Sequence, residues 1–177
     1  MRQRGGGGWG RLVGEAGGGA EEVGEVEWTG HSLLRQRADR PEVTSGRLSQ
    51  VSAQHAIAIA LRRGKAGLAE FSDAAAAETL RDGIRPAVTF IDDDDRAIEA
   101  VRMTVRTRQG KQHEIEITAA RGGPSNPMTD AQLEDKLAEL AEYRGFDRDV
   151  GAIAEAVWSI DDAKDAGEIM RLVGLPQ

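Results

Sequence analysis

An α+β fold is what the sequence predicts, on three observations. One run, Val51 to Leu61, is apolar nearly all round; two short stretches alternate apolar and charged residues around a turn; and the last third carries amphipathic helical patterning. The predicted order is a disordered glycine-rich leader, a buried helix, a small antiparallel β-hairpin or sheet, and three C-terminal amphipathic helices. The leader is assigned to residues 1–38 and the folded part to residues 39–177.

The leader rests on glycine. Eleven of the 22 glycines lie in residues 1–30, with no proline and few large apolar groups to offset the entropy of ordering them. No helical or strand period holds over a useful window there, so residues 1–38 are expected to be structureless. From Pro41 the pattern changes. Val51 to Leu61 suits a buried helix whose alanines allow close packing, with Arg62, Arg63 and Gly64 as its C-terminal stop. Gly67 to Phe71 is a short helical turn, and Asp73 to Arg81 is alanine-rich and helical. Ala87 to Ile91 is β-like. Val101, Met103 and Val105 alternate with Arg102, Thr104 and Arg106, then Gln109-Gly110 turns the chain into a return strand carrying Ile115 and Ile117. After the Arg121–Pro127 loop, Thr129 and Gln132 form a capping-box pattern ahead of Leu133, Leu137, Leu140 and Ala141. Asp147 is placed to cap a second helix with Val150, Ile153, Val157 and Trp158. Ser159 or Asp161 is placed to cap a third, with Ala166, Ile169, Met170 and Val173 facing inward.

Composition excludes several function classes. The 177 residues contain no cysteine, hence no disulfide framework, thiolate nucleophile or cysteine-held metal. No apolar run approaches the roughly 20 residues that span a bilayer, and glycines occupy the place where a secretory signal needs an apolar stretch. The net charge is -7, all of it in residues 51–177 with 16 Lys/Arg against 23 Asp/Glu, which disfavours nucleic-acid binding. A cytoplasmic chain with neither membrane nor nucleic-acid partners is expected.

Individual motifs are mostly bland. Gly5 to Gly10 satisfies a G-x-G-x-x-G pattern but lacks the preceding strand and following helix that aim amides at a pyrophosphate. Asp92 to Asp95 are consecutive, so their side chains diverge along an extended chain, and a solvated turn is expected rather than a metal site. Of the three histidines, His31 falls in the leader and His113 opens a strand. His55 lies in the buried helix beside Ser52 and Gln54, where it reads either as a hydrogen-bonded core residue or as a proton shuttle. Arg62, Arg63 and Lys65 cluster at the end of the same helix, complementing its dipole or offering cations to a carboxylate. No metal site and no Ser/His/Asp constellation can be identified.

Two ordered blocks resemble one family. The first runs from Asp39-Arg40-Pro41 through Ser52-Ala-Gln-His-Ala to Gly64-Lys-Ala-Gly-Leu-Ala-Glu-Phe71; the second is Arg121-Gly-Gly-Pro-Ser-Asn-Pro with Lys136 and Ala156-Val-Trp-Ser-Ile160. Together they resemble the lid region and C-terminal signature of the MmgE/PrpD family, from about residue 39 onward. The resemblance implies cofactor-independent lyase or isomerase chemistry on small polycarboxylates, as in 2-methylcitrate dehydratases and cis-aconitate decarboxylases, often in dimers. It also implies a site in a cleft between this lid and a large helical domain that supplies most of the catalytic groups. That domain has no counterpart in these residues. The expectation is therefore a C-terminal fragment, inactive alone, whose partners are a small polycarboxylate once a site is assembled, and a second copy or a separate helical domain. The alternative is a non-catalytic interaction or dimerisation module. In the decarboxylase branch a histidine immediately precedes the serine matching Ser52; this chain has Val51 there. His55, about one helical turn on, is thus the candidate catalytic residue, and Ser52, Gln54 and Lys65 are the candidate substrate-binding residues, with no cofactor and no metal.

Overall fold

A computed structural model describes residues 23–81 and 87–174. The chain divides into two compact units, Met1–Pro127 and Met128–Gln177. No described helix is long and apolar enough to cross a membrane.

The first unit is built on a four-stranded sheet in the order β2-β1-β3-β4, comprising β1 (Val23–Gly30), β2 (Ala87–Asp92), β3 (Val101–Thr107) and β4 (Gln112–Ile117). β3 and β4 form the expected hairpin, turning over Gly110 at φ +82°, a left-handed conformation that glycine adopts without steric cost. β1 pairs antiparallel with β3 and parallel with β2, so the sheet is mixed and larger than the hairpin expected from sequence.

β1 corrects the leader boundary. Residues 23–38, expected to be structureless, form β1 and helix α1 (Ser32–Ala38). The rest of the assigned leader, including the Gly5–Gly10 motif, lies outside the described residues. The strand has its own logic: Val26 and Trp28 point to the core while Glu25, Glu27 and Thr29 point away. Trp28 stacks on Phe90 of β2, ring centroids 5.8 Å apart. On the opposite face Arg106 pairs with Glu25 at 3.3 Å and Arg102 with Glu116 at 3.1 Å, which keeps that face polar.

The core face is covered by helices. α3 (Ala53–Arg63) lays Ala53, Ile57 and Leu61, spaced by four, onto Val26, Met103 and Val105; Leu34 and Ala38 of α1 pack against the same cluster. Gly64 closes α3 at φ +70°. α2 (Gly46–Ser49), a 3₁₀ turn at Leu68–Phe71 and α4 (Asp73–Arg81) complete the unit. Gly46 is where backbones approach most closely. A Cβ there would lie 2.7 Å from the Phe71 carbonyl oxygen and 2.8 Å from the Asp73 nitrogen. The Gly46 N–H meanwhile donates to Asp73 Oδ1 at 2.6 Å.

The second unit holds α5 (Asp130–Arg144), α6 (Val150–Trp158), a 3₁₀ turn at Ile160–Asp162 and α7 (Gly167–Val173). The Thr129/Gln132 capping box forms as the sequence predicts. Two caps differ. Asp149, not Asp147, caps α6, accepting from the Ala152 N–H at 3.0 Å. α7 starts late, at Gly167, whose N–H donates to Asp165 Oδ1, because the Ser159–Asp162 stretch is spent on the 3₁₀ turn. The inward faces are also incompletely covered: Ala141 and Ile153 are buried, while Leu133, Leu140, Val157, Trp158 and Met170 stay exposed.

Two outcomes follow for the first unit. Gly46→Ala must push α2 off the backbone of residues 71–73, and overpacking of this kind costs about 1–3 kcal/mol; the drop is read as a lower urea midpoint at unchanged slope. Asp92 and Glu116 are held below the ordinary carboxylate range, chiefly by hydrogen bonds from Arg35 and Arg96 respectively. Groups with lowered folded pKa stabilise above their unfolded pKa and lose that contribution as pH falls through the folded value. Thermal stability therefore declines as pH drops below about 4, and less steeply in an Arg35→Met/Arg96→Met variant, when followed by melting at stepped pH.

Candidate functional site at the ends of helix α3

α3 collects every residue for which the sequence suggests chemistry, but at opposite ends. Its first turn carries Ser52, Gln54 and His55. Ser52 is the N-cap: its Oγ accepts the His55 backbone N–H at 3.1 Å and donates to the Arg40 carbonyl at 2.6 Å. Gln54 Oε1 accepts the Arg40 N–H at 3.1 Å, and its amide donates to Asp39 Oδ1 at 2.6 Å. Both side chains are buried and fasten the Asp39–Arg40 connection onto α3.

His55 is completely enclosed. Its Nε2 lies 2.8 Å from the Glu70 carbonyl oxygen, which can only accept, so Nε2 carries a proton. Nδ1 lies 3.1 Å from Thr79 Oγ1, and that hydroxyl lies 3.0 Å from the Ala76 carbonyl. In the neutral ring the Thr79 hydroxyl donates to Nδ1. In the protonated ring Nδ1–H donates to Thr79 Oγ1, which donates on to Ala76. Both protonation states thus find partners, and either way the imidazole ties α3 to the 3₁₀ turn and to α4. The Phe71 ring lies against it at 5.5 Å.

The other end of α3 is electrostatic. Glu70 has a buried carboxylate, held by Arg63 Nη1 at 3.2 Å and the Gly67 N–H at 3.0 Å, with Lys65 Nζ at 3.7 Å. Burying a carboxylate is costly unless it is paired and hydrogen-bonded in this way. Arg62 Nε pairs with Glu78 at 2.6 Å, and Arg63 Nη2 also bonds Glu78. Arg63, first by its hydrogen bond and then by its charge, holds the Glu78 carboxyl below its ordinary range; Glu78 in turn raises the Arg63 guanidinium. The two arginine forks therefore grip carboxylates of this chain. Lys65 is different: its side chain is 68% exposed and reaches Glu70 only at its tip.

Ser52 caps the start of the 11-residue helix, about 16 Å long, and Lys65 follows its C-cap Gly64, so the structure brings Ser52, Gln54 and His55 together but not Lys65 with them. Glu70 connects the two ends, its carbonyl on His55 and its carboxylate beside Lys65. Glu70 and Thr79 were not singled out from the sequence. The usable signal for Glu70 was a lone acid inside the apolar Leu68-Ala-Glu-Phe71 run.

The remaining motifs are structural. Asp92 is bonded by Arg35, Asp93 by Arg96, and Asp94 Oδ1 accepts the Ser32 N–H at 2.9 Å, so the acidic run is tethered to α1 and its own turn rather than simply solvated. Among the described residues no three His, Asp or Glu side chains are grouped as metal ligands. The Arg121–Pro127 loop closes on itself, Gly122 N–H donating to the Asn126 carbonyl at 2.8 Å with Gly122 at φ +89°.

The family model of the MmgE/PrpD C-terminal domain matches residues 9–162, and no curated protein matches the chain. The match begins well before residue 39, where the two sequence blocks start, and it takes in β1 and α1, the elements that the leader assignment excludes. A strand seated at the centre of the sheet belongs with the domain that it holds together. The chain belongs to the MmgE/PrpD family and carries that family's C-terminal domain.

Proposed function

We propose that this chain is the lid-forming part of a cytoplasmic lyase or isomerase of small polycarboxylates, of the 2-methylcitrate dehydratase kind, whose catalytic helical domain is supplied by sequence outside these 177 residues. The family match over residues 9–162 is the observation that carries this reading. The chemistry expected of the family is abstraction of a proton from the carbon beside a carboxylate, followed by loss of hydroxide or CO2. It requires a base and several anion-binding cations converging on one substrate. Within the first unit, Arg62 and Arg63 are engaged by Glu78 and Glu70, and His55 is enclosed. Of the three cations clustered at the end of α3, Lys65 is the one with reach to spare, and in this reading it meets a substrate carboxylate. Ser52 and Gln54 enter the site by holding residues 39–40 in place. For His55 to exchange a proton with substrate, the Leu68–Phe71 turn must first release Nε2.

The alternative reading is a non-catalytic interaction module, favoured by the exposed apolar side chains of the second unit. Purified alone, the chain is expected to show no dehydration of 2-methylcitrate above a heat-killed control. Turnover by the chain alone would overturn the need for an outside domain. In an enzyme completed with a helical domain, Lys65→Met is expected to raise KM about tenfold with kcat retained, since it removes a charge that binds ground state and transition state alike. A fall in kcat at constant KM would assign Lys65 to the chemical step instead. His55→Ala strands the buried Glu70 carbonyl, at about 1–3 kcal/mol for a buried unpaired group, while the Thr79 hydroxyl keeps the Ala76 carbonyl, and it lowers the melting temperature of the isolated chain.

A further inference from the structure

One ring nitrogen at the start of α1 faces two partners that it cannot serve at once. His31 Nδ1 lies 3.2 Å from the Leu33 backbone nitrogen, whose N–H it caps, and 3.4 Å from Asp94 Oδ1. An imidazole nitrogen without a proton accepts a hydrogen bond, and one with a proton donates. Capping therefore requires the neutral ring with its proton on Nε2, whereas pairing with Asp94 requires the charged ring. One proton decides which contact exists, and imidazole is the side chain that ordinarily gains or loses a proton between about pH 5 and 8.

Both partners are held independently of the ring. The Asp93 N–H donates to the Gly30 carbonyl at 2.8 Å, and Asp94 Oδ1 accepts the Ser32 N–H at 2.9 Å, so the acidic turn is docked on the start of α1 without help from His31. Neighbouring charges leave Asp94 as the partner of the ring. Arg35 and Asp92 share its surroundings, but Arg35 Nε bonds Asp92 Oδ1 at 2.9 Å, and Asp93 is taken by Arg96 at 3.0 Å. Hydrogen bonds from the Ser32 side chain and backbone hold the Asp94 carboxyl below its ordinary range, so it stays ionised while an imidazole titrates. The His31 side chain is 21% exposed, which lets it exchange a proton with water.

We propose that His31 is a proton-operated switch at the start of α1: the neutral ring caps the helix through Leu33, and the protonated ring releases that amide and pairs with Asp94. A positive ring beside the N-terminus of a helix is also repelled by the helix dipole, which favours the release. The first turn of α1 is thus tied to its own backbone at high pH and to the acidic turn at low pH. α1 runs directly into the Asp39–Arg40 connection that Ser52 and Gln54 fasten to α3, so the switch acts on the segment leading to the candidate site. The proposal does not depend on the catalytic reading, since it is measured without turnover.

The test uses the full chain, labelled with 13C and 15N, by NMR between about pH 7.5 and 5.5. At the upper pH the ring 15N shifts should show a bare Nδ1 and a protonated Nε2. Towards the lower pH, protection of the Leu33 amide against exchange with water, corrected for intrinsic exchange, should fall about fivefold, the worth of a helix cap. The Asp94 carboxyl 13C signal should move with the same midpoint as the His31 ring. His31→Asn keeps an acceptor at the cap but takes up no proton, so Leu33 protection should stay constant and the Asp94 response should vanish. The first three readouts need no variant, so the proposal stays testable even if His31→Asn folds poorly. A proton on Nδ1 at the upper pH, Leu33 protection that ignores pH, or an Asp94 signal that does not follow the ring would overturn it. So would the same loss of protection in a folded His31→Asn chain.

Discussion

The first unit depends on the double pairing of β1. This strand alone touches both β2 and β3, so it joins a parallel strand from one part of the chain to a hairpin from another. Without it β2 has no partner, and the hairpin is a two-stranded ribbon, marginal in water by itself. The side chains reinforce the backbone. Trp28 is opposite Phe90 on one side and Met103 on the other, so one indole fixes the register of three strands. A slip of one residue would turn Trp28 and Val26 to solvent and put Glu25 and Glu27 against α3, and this sets the register firmly.

That dependence explains what could be read from the sequence and what could not. Helix α3, the hairpin and the capping box on α5 each announce themselves within a dozen residues, through apolar runs, strict alternation or a cap at fixed spacing. β1 does not. Its eight residues include two glycines, and its core-facing side chains are Val23, Val26 and Trp28, beside a segment so rich in glycine that a window average hides them. Its parallel partner lies about 60 residues away in sequence, and no local pattern encodes such a pairing. α1 was missed for a related reason: its N-cap is His31, whose Nδ1 accepts the Leu33 N–H at 3.2 Å, an uncommon residue in that role.

The candidate site was legible in identity but not in arrangement. Ser52, Gln54 and His55 do form one cluster, as their spacing on a helix requires. What sequence could not supply is the identity of their partners, since Arg40, Glu70 and Thr79 come from three other segments. Those partners turn a trio that reads as polar chemistry into the fastening of α3 to its neighbours. The basic cluster is a similar case. Three cations in four positions look like an anion site until Glu70 and Glu78 are placed against them, leaving Lys65 as the outward-facing charge.

The two units satisfy their chemistry to different degrees, and the difference is systematic. In the first, charges balance, the buried histidine and carboxylate are matched, and one continuous apolar cluster spans sheet and helices. In the second, caps are well formed and helices well defined, yet charge is unbalanced and several large apolar side chains are not buried within the unit itself. Local signals, the caps and helix propensities, act within a segment and need no partner; burial and charge neutralisation are global and need one.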